Sequence, residues 1–222
     1  MKLRGEYRVD SELRFLGNFD MMHLMERSLR RGRIPFALTE GFNPHIRLSM
    51  GTVLPVGLYG RHEYFDLDLA VPMAPEELVA QLNRALPPAL QLWRAVVLPE
   101  RHLSLMQGIN AAAYAFELEA APEELRQLGE RILKSAELIV ASRGKKKNQV
   151  KDLRPGIYGY EARGRELLLW VSVNEPLNVR YDELLEMLQL QGVMPAQIKN
   201  YYREGNYVRV GERFFTPMEK LS

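Results

Sequence analysis

Residues 41–57 carry the side chains best suited to chemistry in this sequence. Four polar residues stand at alternate positions among glycines and prolines: Asn43, His45, Arg47 and Ser49. In an extended segment alternate side chains point to one side, and an imidazole beside a guanidinium can bind a phosphate, a carboxylate or an RNA base edge. Asn-Pro also initiates turns, so the same pattern fits a rigid loop whose polar side chains bond their own backbone.

A specific arrangement follows from the ligand-binding interpretation. Glycines and prolines restrict the backbone, so these side chains can be ordered at little cost on binding. Because the arginine fork suits phosphate or carboxylate, we expect Arg47 to take the anionic group and His45 to add one hydrogen bond. We expect the basic helix face of Arg27 and Arg31 to complete the pocket. In the alternative interpretation, the segment only packs two halves of the chain together.

Catalytic and metal-binding patterns are otherwise missing from the sequence. The four histidines are His23, His45, His62 and His102, and no two have the spacing of a metal site. There is no P-loop, Rossmann glycine motif, GxSxG elbow or HExxH motif. His23 and His45 are candidates for an acid–base pair on RNA if the fold brings them together, although a lone helical histidine is more commonly a surface residue. We therefore assign no catalytic residue, metal ligand or cofactor.

Positive charge is concentrated in two places, although the net charge is only +2. The first cluster comprises Arg27, Arg30, Arg31 and Arg33, and the second comprises Arg143, Lys145, Lys146, Lys147, Lys151 and Arg154. Such clusters can neutralise phosphates, and Tyr158 and Tyr160 after the second one offer surfaces for base stacking. The alternative is that both clusters are solvated faces and that the tyrosines pack into a core.

Composition limits the class of protein. The chain has 222 residues, of which 46% are hydrophobic and 26% charged, so it is not largely disordered. It has no cysteine, which excludes disulfides, thiolate metal sites, iron–sulfur ligation and a cysteine nucleophile. Residues 1–6 carry charges where a signal peptide needs an apolar run, and no stretch is apolar enough to span a membrane. We expect a cytoplasmic protein that does not associate with membranes.

Hydrophobic periodicity predicts the same element order twice along the chain. In the first half we predict strands at 3–9, 46–50, 62–70 and 90–98 and helices at 19–31 and 75–86. In the second we predict strands at 113–119, 138–141, 166–173 and 198–202 and helices at 122–135 and 181–189, with a hairpin near Gly211. This is the βαββαβ order of ferredoxin-like domains. The predicted fold class is α+β, with tandem ferredoxin-like halves at 1–100 and 109–222, each with an antiparallel sheet.

Several segments together resemble a known bacterial family. They are Phe15-Leu16 before an Asn-capped helix, Glu26-Arg27 and Leu29-Arg30-Arg31 inside it, Gly41-Phe42-Asn43-Pro44-His45, Leu54-Pro55-Val56-Gly57, and Lys151-Asp152-Leu153-Arg154-Pro155. The series is similar to the radical-SAM-associated (radical-SAM-linked) protein family, a domain of unknown function, over nearly the whole chain. It departs from that family at Ile46, where a proline often follows the histidine.

The resemblance implies a radical-SAM partner and an RNA context, but no established catalytic residues. A radical-SAM enzyme needs cysteines for its iron–sulfur cluster and this chain has none, so the partner would be a separate chain. We therefore expect a non-catalytic accessory protein that binds RNA or another anionic macromolecule for that partner. The alternative is a metal-independent RNA-processing or RNA-modifying enzyme that uses His45 with His23 or Arg47.

Overall fold

The computed structural model describes residues 1–143 and 149–221, which form two compact units. The first unit comprises Met1–Ile109 together with Gly205–Ser222, and the second comprises Asn110–Glu204. The halves predicted from the sequence, 1–100 and 109–222, differ from this division at the C-terminal end. No helix in the described ranges is both long and apolar enough to cross a membrane.

The first unit begins with the predicted element order. Its elements are β1 (Lys2–Val9), α1 (Asn18–Arg31), β2 (Leu48–Met50), β3 (Gly60–Asp68), α2 (Pro75–Asn83), β4 (Leu90–Val97) and α3 (Leu105–Gly108), with a 3₁₀ turn at Ser11–Leu13. Strand β1 lies between β3 and β4, and β2 pairs with the other side of β3. All these pairings are antiparallel. The mixed α/β class with mostly antiparallel strands is as predicted.

Helix α1 has clear start and stop signals. The Gly17 backbone N–H donates to the Asp20 carboxylate across 3.3 Å, so Gly17 is the N-cap and Asn18, the predicted cap, is the first helical residue. The apolar stripe contains Met21, Met25 and Leu29. This stripe packs with Leu3, Phe65 and Leu67 of the sheet, and with Leu78 and Leu82 of α2, in the core of the unit.

The sheet face away from that core is charged, and chain segments of the same unit cover part of it. Side chains alternate along β1, so Arg4 points away from the face that carries Leu3. Arg4 donates to both oxygens of Asp66, at 2.7 Å and 3.0 Å, and both side chains are buried. It also donates to the carbonyls of Leu103, at 2.7 Å, and Pro217, at 2.9 Å. The segment after β4 and the C-terminal tail therefore meet on this face.

The second unit repeats the order with one insertion. Its elements are β5 (Ala111–Leu118), α4 (Pro122–Lys134), β6 (Ile139–Ala141), β7 (Val150–Asp152), β8 (Ile157–Arg163), β9 (Glu166–Ser172), α5 (Tyr181–Leu190) and β10 (Ile198–Val210), with 3₁₀ turns at Arg154–Gly156 and Pro195–Gln197. The strand order is β10, β5, β9, β8, while β6 and β7 form a separate antiparallel pair. The helices are five in all over the described ranges, α1 to α5.

One strand predicted for the second unit lies outside the main sheet, and another strand is missing from the prediction. The strand predicted at 138–141 belongs to the separate β6–β7 pair instead of the main sheet. The strand next to β9 is β8, which was not predicted. Its sequence, Ile-Tyr-Gly-Tyr-Glu-Ala-Arg, shows only weak alternation of apolar and polar residues. Only the first residue of the strand is buried. Tight antiparallel pairing through the Gly164 turn, where φ is +59°, holds β8 in place.

Strand β10 contributes to both units because the division falls after Glu204. Its last residues belong to the first unit and lie beside β3, where the Asn206 side chain donates to Glu63 across 3.1 Å. Strand β11 (Arg213–Phe215) then pairs with the end of β10 through a turn at Gly211, whose φ is +61°. The predicted hairpin near Gly211 is confirmed.

Because the Arg4–Asp66 pair is buried, we expect its disruption to cost more stability than the disruption of an exposed ion pair. Asp66→Ala should lower the free energy of unfolding by about 3–5 kcal/mol, because it leaves the Arg4 guanidinium buried without its counter-charge. Arg126→Ala removes an exposed ion pair with Glu123 on α4 and should have little effect. Denaturant titration of both variants measures the difference. An Asp66→Ala loss as small as that of Arg126→Ala would show that Arg4 does not depend on this carboxylate.

Candidate nucleic-acid interface

The predicted binding segment folds as a short ladder beside β3. The Thr39 N–H donates to the His45 carbonyl across 2.8 Å, and the His45 N–H donates back to Thr39 Oγ1 across 2.9 Å. Next to it, the Asp68 N–H donates to the Arg47 carbonyl across 3.0 Å. These hydrogen bonds fix the segment at the end of β3.

Alternation along this ladder exposes most of the predicted side chains together. Ile46 is buried, and Leu48 and Met50 are half-buried against the core. His45, Arg47 and Ser49 stand between them and are exposed. Asn43 is also exposed but lies in the bend before the ladder, so its direction is not set by the same alternation.

Arg47 already has an anionic partner in its own chain. Its Nε lies 2.8 Å from Oδ2 of Asp68, and Lys2 Nζ lies 3.4 Å from the other oxygen of the same carboxylate. An external anion would therefore compete with Asp68 for Arg47. In the described part of the chain, no side chain hydrogen-bonds to the ring of His45 or of His23.

The bend at the tip of the segment presents an aromatic side chain that the sequence prediction did not include. Phe42 is fully exposed, and it follows Gly41, whose φ of +119° favours glycine. An exposed aromatic ring beside exposed polar residues is a surface on which a base can stack. The signal was present in the sequence, because an apolar residue inside a Gly–Asn–Pro bend has little chance of burial.

Arg27 and Arg31 belong to a larger cluster, which we call the arginine patch: Arg27, Arg30, Arg31, Arg33 and Arg84. All five side chains are exposed. They line two open depressions at the ends of α1 and α2, which share Arg31 and Ala85. Arg30 and Arg33 were recognised in the sequence as part of a basic cluster, whereas Arg84 was not.

Close packing between the two helix ends builds the patch. Gln81 on α2 donates to the carbonyl of Gly32 across 2.6 Å, which ties the residue after α1 to α2. Arg33 then adopts a φ of +51°, a left-handed conformation that is uncommon for a residue with a side chain. Arg30 places its guanidinium 5.3 Å from the centre of the Phe36 ring. Arg84 and Arg31 are far apart in the sequence. Only the packing of the two helix ends brings them together.

The patch differs from other arginines of the chain in lacking acidic partners. Arg4, Arg94, Arg143, Arg163 and Arg180 each pair with a carboxylate. No patch arginine has a carboxylate oxygen within 4.0 Å in the ranges that the structure describes. Arg30 and Arg31 complement the negative end of the α1 dipole, but this does not explain Arg33 or Arg84. Five clustered cations repel one another, and a bound anion would relieve that repulsion.

The second basic cluster is in part engaged by the fold of the second unit. Lys151 donates to Glu183, which is fully buried, across 2.7 Å, and to the Asn178 carbonyl across 2.5 Å. Arg154 donates to the carbonyls of Leu133 and Ile157, at 3.1 Å and 2.9 Å. A phosphate would have to displace these bonds. Lys145, Lys146 and Lys147 lie outside the described residues.

The sequence matches the model of a protein family. A family model described as "Uncharacterized protein conserved in bacteria (DUF2344)" matches residues 2–181. The match runs from β1 to the first residue of α5, and so includes the 41–57 segment, the arginine patch and the second basic cluster. No curated protein matches the sequence.

The left-handed backbone at Arg33 gives a prediction about stability. Arg33→Gly should leave the free energy of unfolding unchanged or slightly higher, because glycine adopts this conformation without strain. Arg27→Gly, an equal change inside α1, should cost about 1 kcal/mol through lost helix propensity. Thermal unfolding of the two variants gives the comparison. A larger loss for Arg33→Gly would mean that the Arg33 side chain itself stabilises the fold.

Proposed function

The chain belongs to this family of uncharacterized bacterial proteins, and from that premise we propose that it is a non-catalytic accessory protein that binds RNA or another anionic macromolecule. The observation that carries the proposal is the arginine patch, with its exposed guanidinium groups and no acidic partner among the described residues. Arginine binds phosphate oxygens through paired N–H groups, and neutralising phosphates releases counterions from a nucleic acid.

The shape of the patch favours an extended ligand over a small enclosed one. Small-molecule sites are usually concave, largely apolar and able to bury most of the ligand. Here two open depressions lie side by side, and arginines dominate their rims. A chain of phosphates can follow such a surface and contact several guanidinium groups in turn. This favours a polyanion such as RNA.

Two aromatic rings, one of them exposed, support RNA among the polyanions. Phe42 offers a free face in the same unit, and Phe36 is already stacked with Arg30 of the patch. Base stacking on aromatic side chains contributes about 1–3 kcal/mol per base and tolerates many sequences. The resemblance noted in the sequence also implies an RNA context.

We further propose that both units are ferredoxin-like. The first unit has the strand order β4, β1, β3, β2 and the second has β10, β5, β9, β8, so equivalent strands occupy equivalent places. The β6–β7 pair is then an insertion in the second unit. Domains of this kind often bind RNA on the sheet face opposite the helices, but in the first unit the contacts of Arg4 with Leu103 and Pro217 cover part of that face. This favours the helix ends as the contact surface.

A radical-SAM protein is the proposed partner. The support is the series of segments that resembles the radical-SAM-associated family. The iron–sulfur cluster of such a partner would be held by cysteines outside this sequence, which has none. Purification of the tagged chain from its host, followed by iron analysis and mass spectrometry, tests the partnership. Recovery without any iron–sulfur protein would count against it.

The enzymatic alternative has less support. A catalytic histidine is usually oriented by a second group, whereas the rings of His23 and His45 have no hydrogen-bonded side chain among the described residues. Arg47, the other candidate, is paired with Asp68. The proposal therefore expects that purified protein binds RNA without cleaving or modifying it. Mass spectrometry of RNA after incubation distinguishes the two functions.

The arginine patch predicts a change in the salt dependence of RNA binding. Replacing Arg27, Arg30 and Arg31 by glutamine should weaken binding, and the slope of log affinity against log salt should flatten by about 2, at roughly 0.7 per lost contact. Fluorescence anisotropy with a labelled single-stranded RNA measures the slope.

A matched control removes three cations from the second unit. Arg126, Lys134 and Lys199 are exposed residues that each form an ion pair with a glutamate, and their replacement by glutamine changes the net charge equally. This control should leave the slope unchanged. If both triple variants flatten it equally, RNA binding depends on net charge and the patch is not the site.

A further inference from the structure

A second polar cluster lies on the sheet face of the first unit that points away from its helices. It is built around Glu6 of β1, whose side chain is only 4% exposed. One carboxylate oxygen accepts from His62 Nδ1 at 2.7 Å and from the Tyr64 hydroxyl at 3.3 Å. The other accepts from Nε of Arg94 on β4. Glu6 of β1 therefore binds side chains of both neighbouring strands, β3 and β4.

The protonation states in this cluster follow from the charges around Glu6. Burial raises the pKa of Glu6, but the hydrogen bonds from His62 and Arg94 outweigh it and hold that pKa below its usual value. The hydrogen bond with Glu6 raises the pKa of Arg94, and burial together with Glu6 raises the pKa of Tyr64. Since Glu6 is ionised, it accepts the Nδ1 proton of His62. The same carboxylate–histidine arrangement orients catalytic and ligand-binding imidazoles in many sites.

The other nitrogen of His62 is available to a ligand. The His62 side chain is 30% exposed. Within the residues that the structure describes, its Nε2 has no hydrogen-bond partner. Gly205 of β10 passes so close that a Cβ there would lie 3.1 Å from His62 Cβ. The imidazole is thus held by Glu6 on one side and by close backbone packing on another.

An irregularity in the sheet places a tryptophan beside His62. Glu6 pairs with Arg94 while Tyr7 pairs with Leu92, so Trp93 is the extra residue of a β-bulge. Its ring centre lies 5.5 Å from that of His62, with an angle of 65° between the ring planes. Trp93 is 52% exposed, so a large part of its indole surface is in contact with water.

Two arginines belong to this cluster, Arg8 through Trp93 and Arg94 through Glu6. The guanidinium of Arg8 lies 5.9 Å from the centre of the Trp93 ring, and Arg8 Nε is 3.5 Å from Asp10. The Arg94 side chain is 53% exposed although its Nε is bound to Glu6, so its terminal N–H groups can still reach a ligand. An aromatic face, two guanidinium groups and one oriented imidazole therefore meet at one edge of the sheet.

We propose that Trp93, His62, Arg94 and Arg8 form a binding site for a nucleotide unit. The base stacks on Trp93, the phosphate accepts from Arg94 and Arg8, and His62 Nε2 makes one hydrogen bond to the ligand. A purely structural role for the cluster would explain the burial of Glu6, but not the bulge that exposes Trp93. The site consists of strand residues and is separate in sequence and element from the arginine patch, so it stands independently of the proposed function.

Tryptophan fluorescence distinguishes two sources of the nucleotide unit, a free nucleotide and a nucleotide within RNA. The chain has two tryptophans, Trp93 and Trp170, so emission of the Trp170→Phe variant reports Trp93 alone. This variant is titrated with each of the four ribonucleoside monophosphates and with a short single-stranded oligoribonucleotide. Saturable quenching by a monophosphate indicates a free nucleotide as ligand, and quenching by the oligonucleotide alone indicates a nucleotide within RNA. If neither ligand quenches the fluorescence of Trp93, the proposal is overturned.

Variants in the Trp170→Phe background test the named side chains. His62→Gln and Arg94→Ala should each lower the affinity for the ligand that quenches Trp93 by about tenfold or more. This is the effect expected when a charged or oriented hydrogen bond is lost. His102→Gln and Arg101→Ala make the same changes in the same unit, at a half-buried and an exposed position, and should leave the affinity unchanged. Equal affinities in all four variants would overturn the assignment.

Two further variants separate binding from folding and from the arginine patch. Trp93→Leu leaves the Glu6 bonds intact, so it should lose binding of the ligand in calorimetry while its thermal unfolding stays close to that of the parent chain. Retained binding by Trp93→Leu overturns the site. The triple glutamine variant of Arg27, Arg30 and Arg31 should keep the quenching of Trp93. Loss of quenching in that variant would show that the signal comes from the arginine patch.

Discussion

The buried ion pair between Arg4 and Asp66 organises the first unit. Isolated charges in a protein interior are very costly, and a pair is tolerated only when further hydrogen bonds satisfy the remaining donors. Arg4 meets this condition by bonding both oxygens of Asp66 and the carbonyls of Leu103 and Pro217. Two neighbouring strands, the segment after β4 and the C-terminal tail are thus connected through one guanidinium.

This constraint determines which surfaces remain for ligands. Because the tail and the segment after β4 contribute carbonyls to Arg4, they cover the middle of the sheet face. Among the exposed groups of the unit are the arginine patch at the helix ends and the cluster around Trp93. The patch consists of guanidinium groups, whereas the Trp93 cluster adds an aromatic ring and an imidazole to its cations. The two proposals therefore share a cause in the fold while depending on different residues.

Sequence patterns predict the helices and strands whose apolar residues recur at regular spacing. They do not predict strands that form only by pairing with a distant part of the chain. Helix α1 and strand β3 were predicted because their apolar residues recur at regular spacing in the sequence. Strand β8 was missed because its half-buried, glycine- and tyrosine-containing sequence becomes a strand only by pairing with β9. The strand at 138–141 was placed in the main sheet instead of the β6–β7 pair for the same reason, since sequence patterns do not specify which strand is a neighbour.

The same distinction applies to the candidate site. Exposure of His45, Arg47 and Ser49 follows from local alternation and was predictable. The partners of charged groups were not, because Asp68 and Glu183 lie far in sequence from Arg47 and Lys151. Glu6 and His62 are separated in the same way, and only the antiparallel pairing of β1 and β3 brings them together.

We propose that RNA contacts the first unit at the arginine patch. Hydrogen–deuterium exchange of the protein with and without single-stranded RNA tests it directly, because ligand contact slows exchange of the amides beneath it. We expect slower exchange in residues 30–36 and 83–88, where Arg30, Arg31, Arg33 and Arg84 lie. Slower exchange confined to residues 149–163, with no change at the helix ends, would contradict it.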